Sequence, residues 1–223
     1  MAAYDQLWYW LAEASWIWLP LVAFVLLGFA SLFAVYTTSR RGRLLSAALG
    51  ESTGSRLVVE TGPGWAGFRA HFQPPPEPFS HVAIAYEAAA RFDPLRWFAQ
   101  KPRQDRLWIH ASLSEPPGQE LYWRRGVVPG RAAGPTPSAS LWTIHRLDFI
   151  ESEFATRGAN PSALIHVFTE LQTRFEPLLH EVSVLRETQP ALAVGLSGRG
   201  LEPADVFPLV ALVRAAGRAA RLA

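Results

Sequence analysis

Residues 15–43 read SWIWLPLVAFVLLGFASLFAVYTTSRRGR. No charge falls between Ala14 and Ser39, and three arginines then arrive within four positions. A bilayer's hydrocarbon core takes about 20 apolar residues in helical form. Trp16 to Tyr36 supplies 21, or roughly 31 Å at the helical rise. A helix buried in a soluble domain is seldom apolar all round for so long. The stretch therefore predicts a transmembrane helix over 16–38.

The flanks agree. Trp8, Trp10, Trp16 and Trp18 crowd one end and Tyr36 stands at the other, as expected of amphipathic rings anchored at the headgroup level. Pro20 falls near the start of the span, where a lost backbone hydrogen bond costs least. A cleaved signal peptide would carry a basic leader and an apolar run of about 7–15 residues. Here Asp5 and Glu13 precede the span without any Lys or Arg. Arg40, Arg41 and Arg43 follow it directly. By the positive-inside rule they determine topology, with the N-terminus outside and the bulk of the chain cytoplasmic at the plasma (inner) membrane. Tyr4 to Trp18 is expected as an interfacial helix at the outer headgroups. Ala30 and Ala34 have the small-xxx-small spacing that lets two spans approach, although such pairs are commonplace in apolar helices. A homo-oligomer is left open.

Beyond the anchor, the remaining residues are enough for one domain that buries about 70% of its unfolded surface. Without the three arginines that follow the span, 18 basic residues stand against 17 acidic ones. So small a surplus makes no long-range positive field, and nucleic acid is not an expected partner. There is no cysteine, which excludes disulfides, thiolate nucleophiles and thiolate metal sites.

The organisation reads as an outer flank over 1–15, the span over 16–38, a basic exit and linker over 39–55, and a domain over 56–223. A Pro/Gly-rich loop at 129–140 divides the domain. Strands are predicted at 56–60, 65–72, 81–86 and 105–113, with Leu107, Ile109, Ala111 and Leu113 on one face. Pro116-Pro117-Gly118 predicts a hairpin joining 105–113 to 120–128, and 141–156 is strand-like. Asn160-Pro161 predicts a helix start, with Leu164, Val167, Phe168, Leu171 and Phe175 as its apolar face. Pro177 predicts a second helix toward Glu187, followed by a strand at 191–196 and a final helix at 202–222. Strands that precede helices indicate α+β: one transmembrane helix followed by a single domain of antiparallel sheet plus helices.

Several motifs invite chemistry. Gly62 to Gly67 matches GxGxxG, but Phe68 to Phe72 alternates like a strand where a dinucleotide loop needs a helix N-terminus. A hairpin turn is expected. Ser197 lies between Gly195 and Arg199, so the second glycine of a nucleophile elbow is missing. The six histidines form no HxxxH pair. No catalytic residue, metal site or cofactor is expected. Arg91, Arg96, Trp97, Lys101 and Arg103 lie in a basic, aromatic stretch suited to the anionic leaflet, or to an ordinary surface loop.

Function is thus read as a membrane-anchored protein-interaction domain, an accessory or scaffold, with membrane lipid and other membrane or cytoplasmic proteins as partners. The alternatives are a membrane-tethered hydrolase or transferase, for which histidines should converge with carboxylates, and a domain that senses anionic lipid.

Overall fold

The computed structural model describes residues 2–64, 67–88, 105–127, 142–147 and 152–222, with the backbone alone at 2–17, 62–64, 147 and 152. Helix α1 runs from Ala2 to Ser52 with Pro20 inside it, about 77 Å of helix. Described side chains from Trp18 to Phe29 are all exposed. Within Trp18–Ser52 an apolar window has mean hydropathy 2.3 and is only 6% buried. The helix is long and apolar enough to cross a membrane.

From Ala30 onward one face of α1 is covered. Ala34, Leu45 and Leu49 are 1%, 1% and 0% exposed, and both leucines belong to the domain's core. The segment 39–55, read as a helical basic exit that turns into a linker, is helical as far as Ser52. The reason is spacing: Gly42, Leu45 and Leu49 recur every three to four residues and give the helix a packing stripe. Ala34 is likewise covered by the chain itself. The expected interfacial helix at Tyr4–Trp18 is the first part of α1, without a break before the apolar run.

The domain is α+β. Among the described residues its strands are β1 (Arg56–Gly64), β2 (Gly67–Gln73), β3 (Phe79–Glu87), β4 (Arg106–Leu113), β5 (Glu120–Arg124), β6 (Thr143–Leu147), β7 (Ser152–Arg157), β8 (Leu179–Val184) and β9 (Leu192–Ser197). They form one sheet in the order β1-β2-β3-β4-β9-β8-β5-β7-β6, with every adjacent pair antiparallel. Helices α2 (Ser162–Phe175) and α3 (Pro203–Arg221) bury apolar stripes in the common core, Leu164, Phe168, Leu171 and Phe175 from the first and Val206, Leu209 and Val213 from the second. Phe168 lies between Trp123 and Phe154, at ring-centroid distances of 5.8 and 4.9 Å.

Gly64 pairs with Gly67, so the GxGxxG stretch is a hairpin turn between two strands, as its alternation indicates. Gly67 has φ +112°, and a Cβ there would lie 1.7 Å from the Tyr86 carbonyl oxygen, so no other residue fits without moving the backbone.

Two expectations are corrected. Strands β4 and β5 do not form a hairpin: β4 lies between β3 and β9, and β5 between β8 and β7. The Pro-Pro-Gly stretch is carried to the end of α3, where the amides of Gly118 and Gln119 both donate to Ala220 O at 2.8 and 3.0 Å. That detour leaves room for β8 and β9. The helix predicted after Pro177 is strand β8, in which Leu179, Val182 and Val184 are buried. Sheet pairing on both sides outweighs a helix-start signal. Helix α2 begins one residue later than Asn160-Pro161 suggested, and Asn160 accepts from the Ser162 hydroxyl at 2.6 Å instead of capping. The 129–140 loop lies outside the described residues.

Candidate functional site

The helices and the core residues Leu107, Ile109 and Ala111 take one face of the sheet, which leaves Arg106, Trp108, His110 and Ser112 of β4 for the other. Cross-strand register extends that second face as continuous rows. One runs Val58, His71, Ala83, His110, Ala193, Ser183, Tyr122, Ala155, Ile144 across all nine strands. The next runs Arg69, Ala85, Trp108, Gly195, Glu181, Arg124. Small residues alternate with large ones along these rows. The Trp108 ring occupies the place above Gly195, where a Cβ would come within 2.5 Å of it, and meets His110 edge-on at 5.8 Å.

Charge on this face is specific. Burial holds the His110 imidazole below its ordinary value, partly offset by the Glu181 carboxylate. Glu181 lies 3.6 Å from Arg124. His71 Nδ1 lies 2.9 Å from Glu60 and its ring 6.1 Å from that of His81. Glu120, 5% exposed, takes the Arg157 guanidinium and the Arg186 amide, the latter at 2.7 Å.

Of the six histidines, His71, His81 and His110 thus share this second, open face, on which Ala155 and Ser183 are nonetheless buried. His145 belongs to the other side, stacked on Phe154 at 4.9 Å with its Nε2 2.8 Å from the Thr156 hydroxyl. The acid that joins His71 and His81 is Glu60, which is 55% exposed, so the grouping is a surface and not a pocket. Among the described residues no three His, Cys, Asp or Glu are grouped to hold a metal. A crease on the helix side, between Phe72, Phe79, Ile84, Val210 and Arg214, encloses about 10 Å³, the room of one water. Ser197 Oγ accepts from the Arg199 amide at 3.3 Å in the turn between β9 and α3, a structural use of that hydroxyl.

The second feature is the joint between α1 and the domain. Arg41 donates through Nη2 to the carbonyls of Gly198 and Leu201, the latter at 3.0 Å, and its Nη1 lies 3.7 Å from Asp105. Asp105 is 5% exposed, and its own carbonyl accepts from the Gly198 amide at 2.7 Å. One guanidinium therefore ties the helix to the start of β4 and to the turn before α3.

The residues singled out in the sequence divide accordingly. Arg40 and Arg43 are exposed, whereas Arg41 is docked. Trp18 and Tyr36 are 57% and 58% exposed and stand about 27 Å apart along the helix. The side chains of Trp8, Trp10 and Trp16, and all of Arg91, Arg96, Trp97, Lys101 and Arg103, lie outside the described residues. Arg214 and Arg221 of α3 bind within the domain, to Glu77 O at 3.2 Å and to Glu115 at 2.7 Å. Sequence reasoning missed both the Arg41 joint and the open-face rows. The first had a signal in the stripe that follows the arginines, and the second in the polar set of β4.

No protein-family model matches the chain, and no curated protein does.

Proposed function

We propose that this chain is a single-pass protein of the plasma (inner) membrane, with its N-terminus outside and its α+β domain cytoplasmic. In this reading it serves as an accessory or scaffold subunit that offers the open sheet face to another protein of the same membrane. One observation carries the reading: α1 is a single helix whose apolar part is exposed and whose later turns, through Leu45 and Leu49, are part of the domain core. A domain on a flexible tether samples all orientations. A domain fused to its span keeps one, which lowers the ordering cost of binding a neighbour fixed in the same plane. The face it holds in place carries Trp108 and Tyr122, residue types enriched where interface energy concentrates.

The chain's lack of cysteine makes the test direct. A photo-crosslinking residue is placed at Tyr122 on the open face, and in a second variant at the exposed position Arg218 of α3, and both are irradiated in native membranes. A discrete adduct from position 122 and none from 218 is expected. An adduct of twice the chain's mass would make the partner a second copy. A strictly monomeric chain at both positions would end the reading. Single cysteines at Ala3 and Arg218, labelled from either side of sealed vesicles, test the orientation: position 3 should label from outside and position 218 from inside.

A further inference from the structure

Antiparallel order sorts the strand ends into two sets, and the contacts of Arg41 identify the set next to the apolar helix. Gly67, Glu87, Arg106 and Ser197 form the last row at that end. Asp105, Gly198 and Leu201, which Arg41 holds, adjoin it. Arg41 lies five residues beyond Tyr36, about 8 Å along the helix. Coverage of α1 reaches deeper still: Ala34 is 1% exposed and Ala30 and Ser31 are half-buried, although both the face and its surroundings belong to the uncharged run. If α1 spans a membrane, this end of the sheet stands at the headgroup level.

The charges there are arranged for anions. Arg106, Arg125 and Arg199 are exposed. His180 at the start of β8 is held below its ordinary value first by burial, then by the charges of Arg125 and Arg106, and its carbonyl accepts from the Arg125 amide at 2.9 Å. Arg125 is steadied by the carbonyls of Glu176 and Pro177. Among the described residues, several nearby carboxylates are already engaged. Asp105 faces Arg41, Glu181 faces Arg124, and Glu202 and Asp205 close the capping box of α3. Glu87 beside Arg106 and Glu176 beside Arg125 are the opposing charges among the described residues.

We propose that this end of the sheet is seated on the membrane, with Arg106, Arg125 and Arg199 ligating the headgroup phosphates of anionic lipids in the leaflet that α1 leaves. It rests on the reading of α1 as a span. Guanidinium suits the task because its planar fork meets two phosphate oxygens at once. None of Arg106, Arg125 and Arg199 belongs to the two open-face rows, so lipid and a protein partner do not compete for the same side chains.

The test uses the full chain in nanodiscs of phosphatidylcholine, with or without phosphatidylglycerol. Single cysteines at Val25, Ala204 and Arg218 carry a fluorophore, with quenchers attached either to lipid tails or to headgroups. Ala204 and Arg218 lie on the same helix, about 21 Å apart. The expected pattern is tail quenching at 25, headgroup quenching at 204 and neither at 218. Loss of quenching at 25 overturns the span itself. Quenching at 25 with none at 204 overturns the seating alone. Retained phosphatidylglycerol is then counted by mass spectrometry for the chain and for Arg106→Gln/Arg125→Gln/Arg199→Gln. Enrichment over phosphatidylcholine should fall roughly tenfold, given the attraction of each cation to an anionic surface. A charge-matched variant at the opposite end, Arg56→Gln/Arg186→Gln/Arg218→Gln, should retain it. Equal enrichment in both triple variants overturns the ligation.

Discussion

Helix α1 is two helices in its chemistry. From Trp18 to Phe29 every described side chain is exposed, and most are large and apolar. From Arg40 to Ser52 polar and charged residues return, and burial is confined to one stripe. The backbone hydrogen bonding is the same in both. The difference is what each half packs against: a helix facing protein on one side and water on the other needs a stripe, whereas a helix facing hydrocarbon all round does not. The junction falls near Ala34 to Arg41, where residues of the uncharged run are already covered by the chain.

The largest effect should come from the protein-facing half. Leu49→Ala removes a side chain with no exposure and should destabilise the domain by about 2–5 kcal/mol, read from denaturant unfolding of the full chain in detergent. Leu26→Ala, at a position 63% exposed, should leave the domain's midpoint unchanged. Equal losses in both would erase the contrast between the halves.

The reverse asymmetry should appear in membrane insertion. Val25→Arg places a charge near the middle of the apolar run and should cost about 2.5–3.5 kcal/mol of apparent insertion free energy, measured by glycosylation mapping of integrated against translocated product. Leu44→Arg, past the run and 49% exposed, should not. An equal response at both positions would mean that the apolar half does not enter lipid.

These halves also show what the sequence made legible. The apolar run could be read because hydrophobicity at span length is a one-dimensional property. The α+β class followed from alternation at Leu107, Ile109 and Ala111 and from the 3.6-residue spacing of α2. Pairing was not legible. Which strand lies beside β4 is decided by residues some 80 positions away in β9, and the local Pro-Pro-Gly signal pointed elsewhere. The β8 stretch was misread because its Pro177 start is shared by helices and by strands after a turn. Among candidate site residues, Arg40, Arg41 and Arg43 look alike in the sequence. Only tertiary contacts separate the docked one from its exposed neighbours.

That separation is measurable. Arg41→Ala removes the guanidinium 3.7 Å from the buried Asp105 and takes donors from the carbonyls of Gly198 and Leu201. The cost should be about 1–3 kcal/mol. Arg40→Ala and Arg43→Ala should change stability by less than about 0.5 kcal/mol, as exposed substitutions do. Arg41→Lys should recover only part of the loss, because one ammonium cannot reproduce a fork that spans two carbonyls and a carboxylate.

The smallest effect concerns the open face and one end of the sheet. His110 on the open face is held below the ordinary value of 6.5, chiefly by burial. The fold therefore favours the neutral ring, and its contribution to stability is intact above the unfolded value. As pH falls through 6.5 toward the lower folded value, the unfolded chain binds a proton that the folded chain resists, so stability declines over that interval and levels off below it. His180 acts in the same direction through burial and its two arginines. His110→Gln should flatten part of this decline and His180→Gln another part, seen as a smaller shift in unfolding midpoint between pH 7 and pH 5. A protein seated over the open face would bury His110 further and steepen its share alone, whereas anionic lipid at the Arg106 and Arg125 end would relieve His180. Measuring the two single variants with and without anionic lipid thus tells which surface is occupied, by the sign of the change at each histidine.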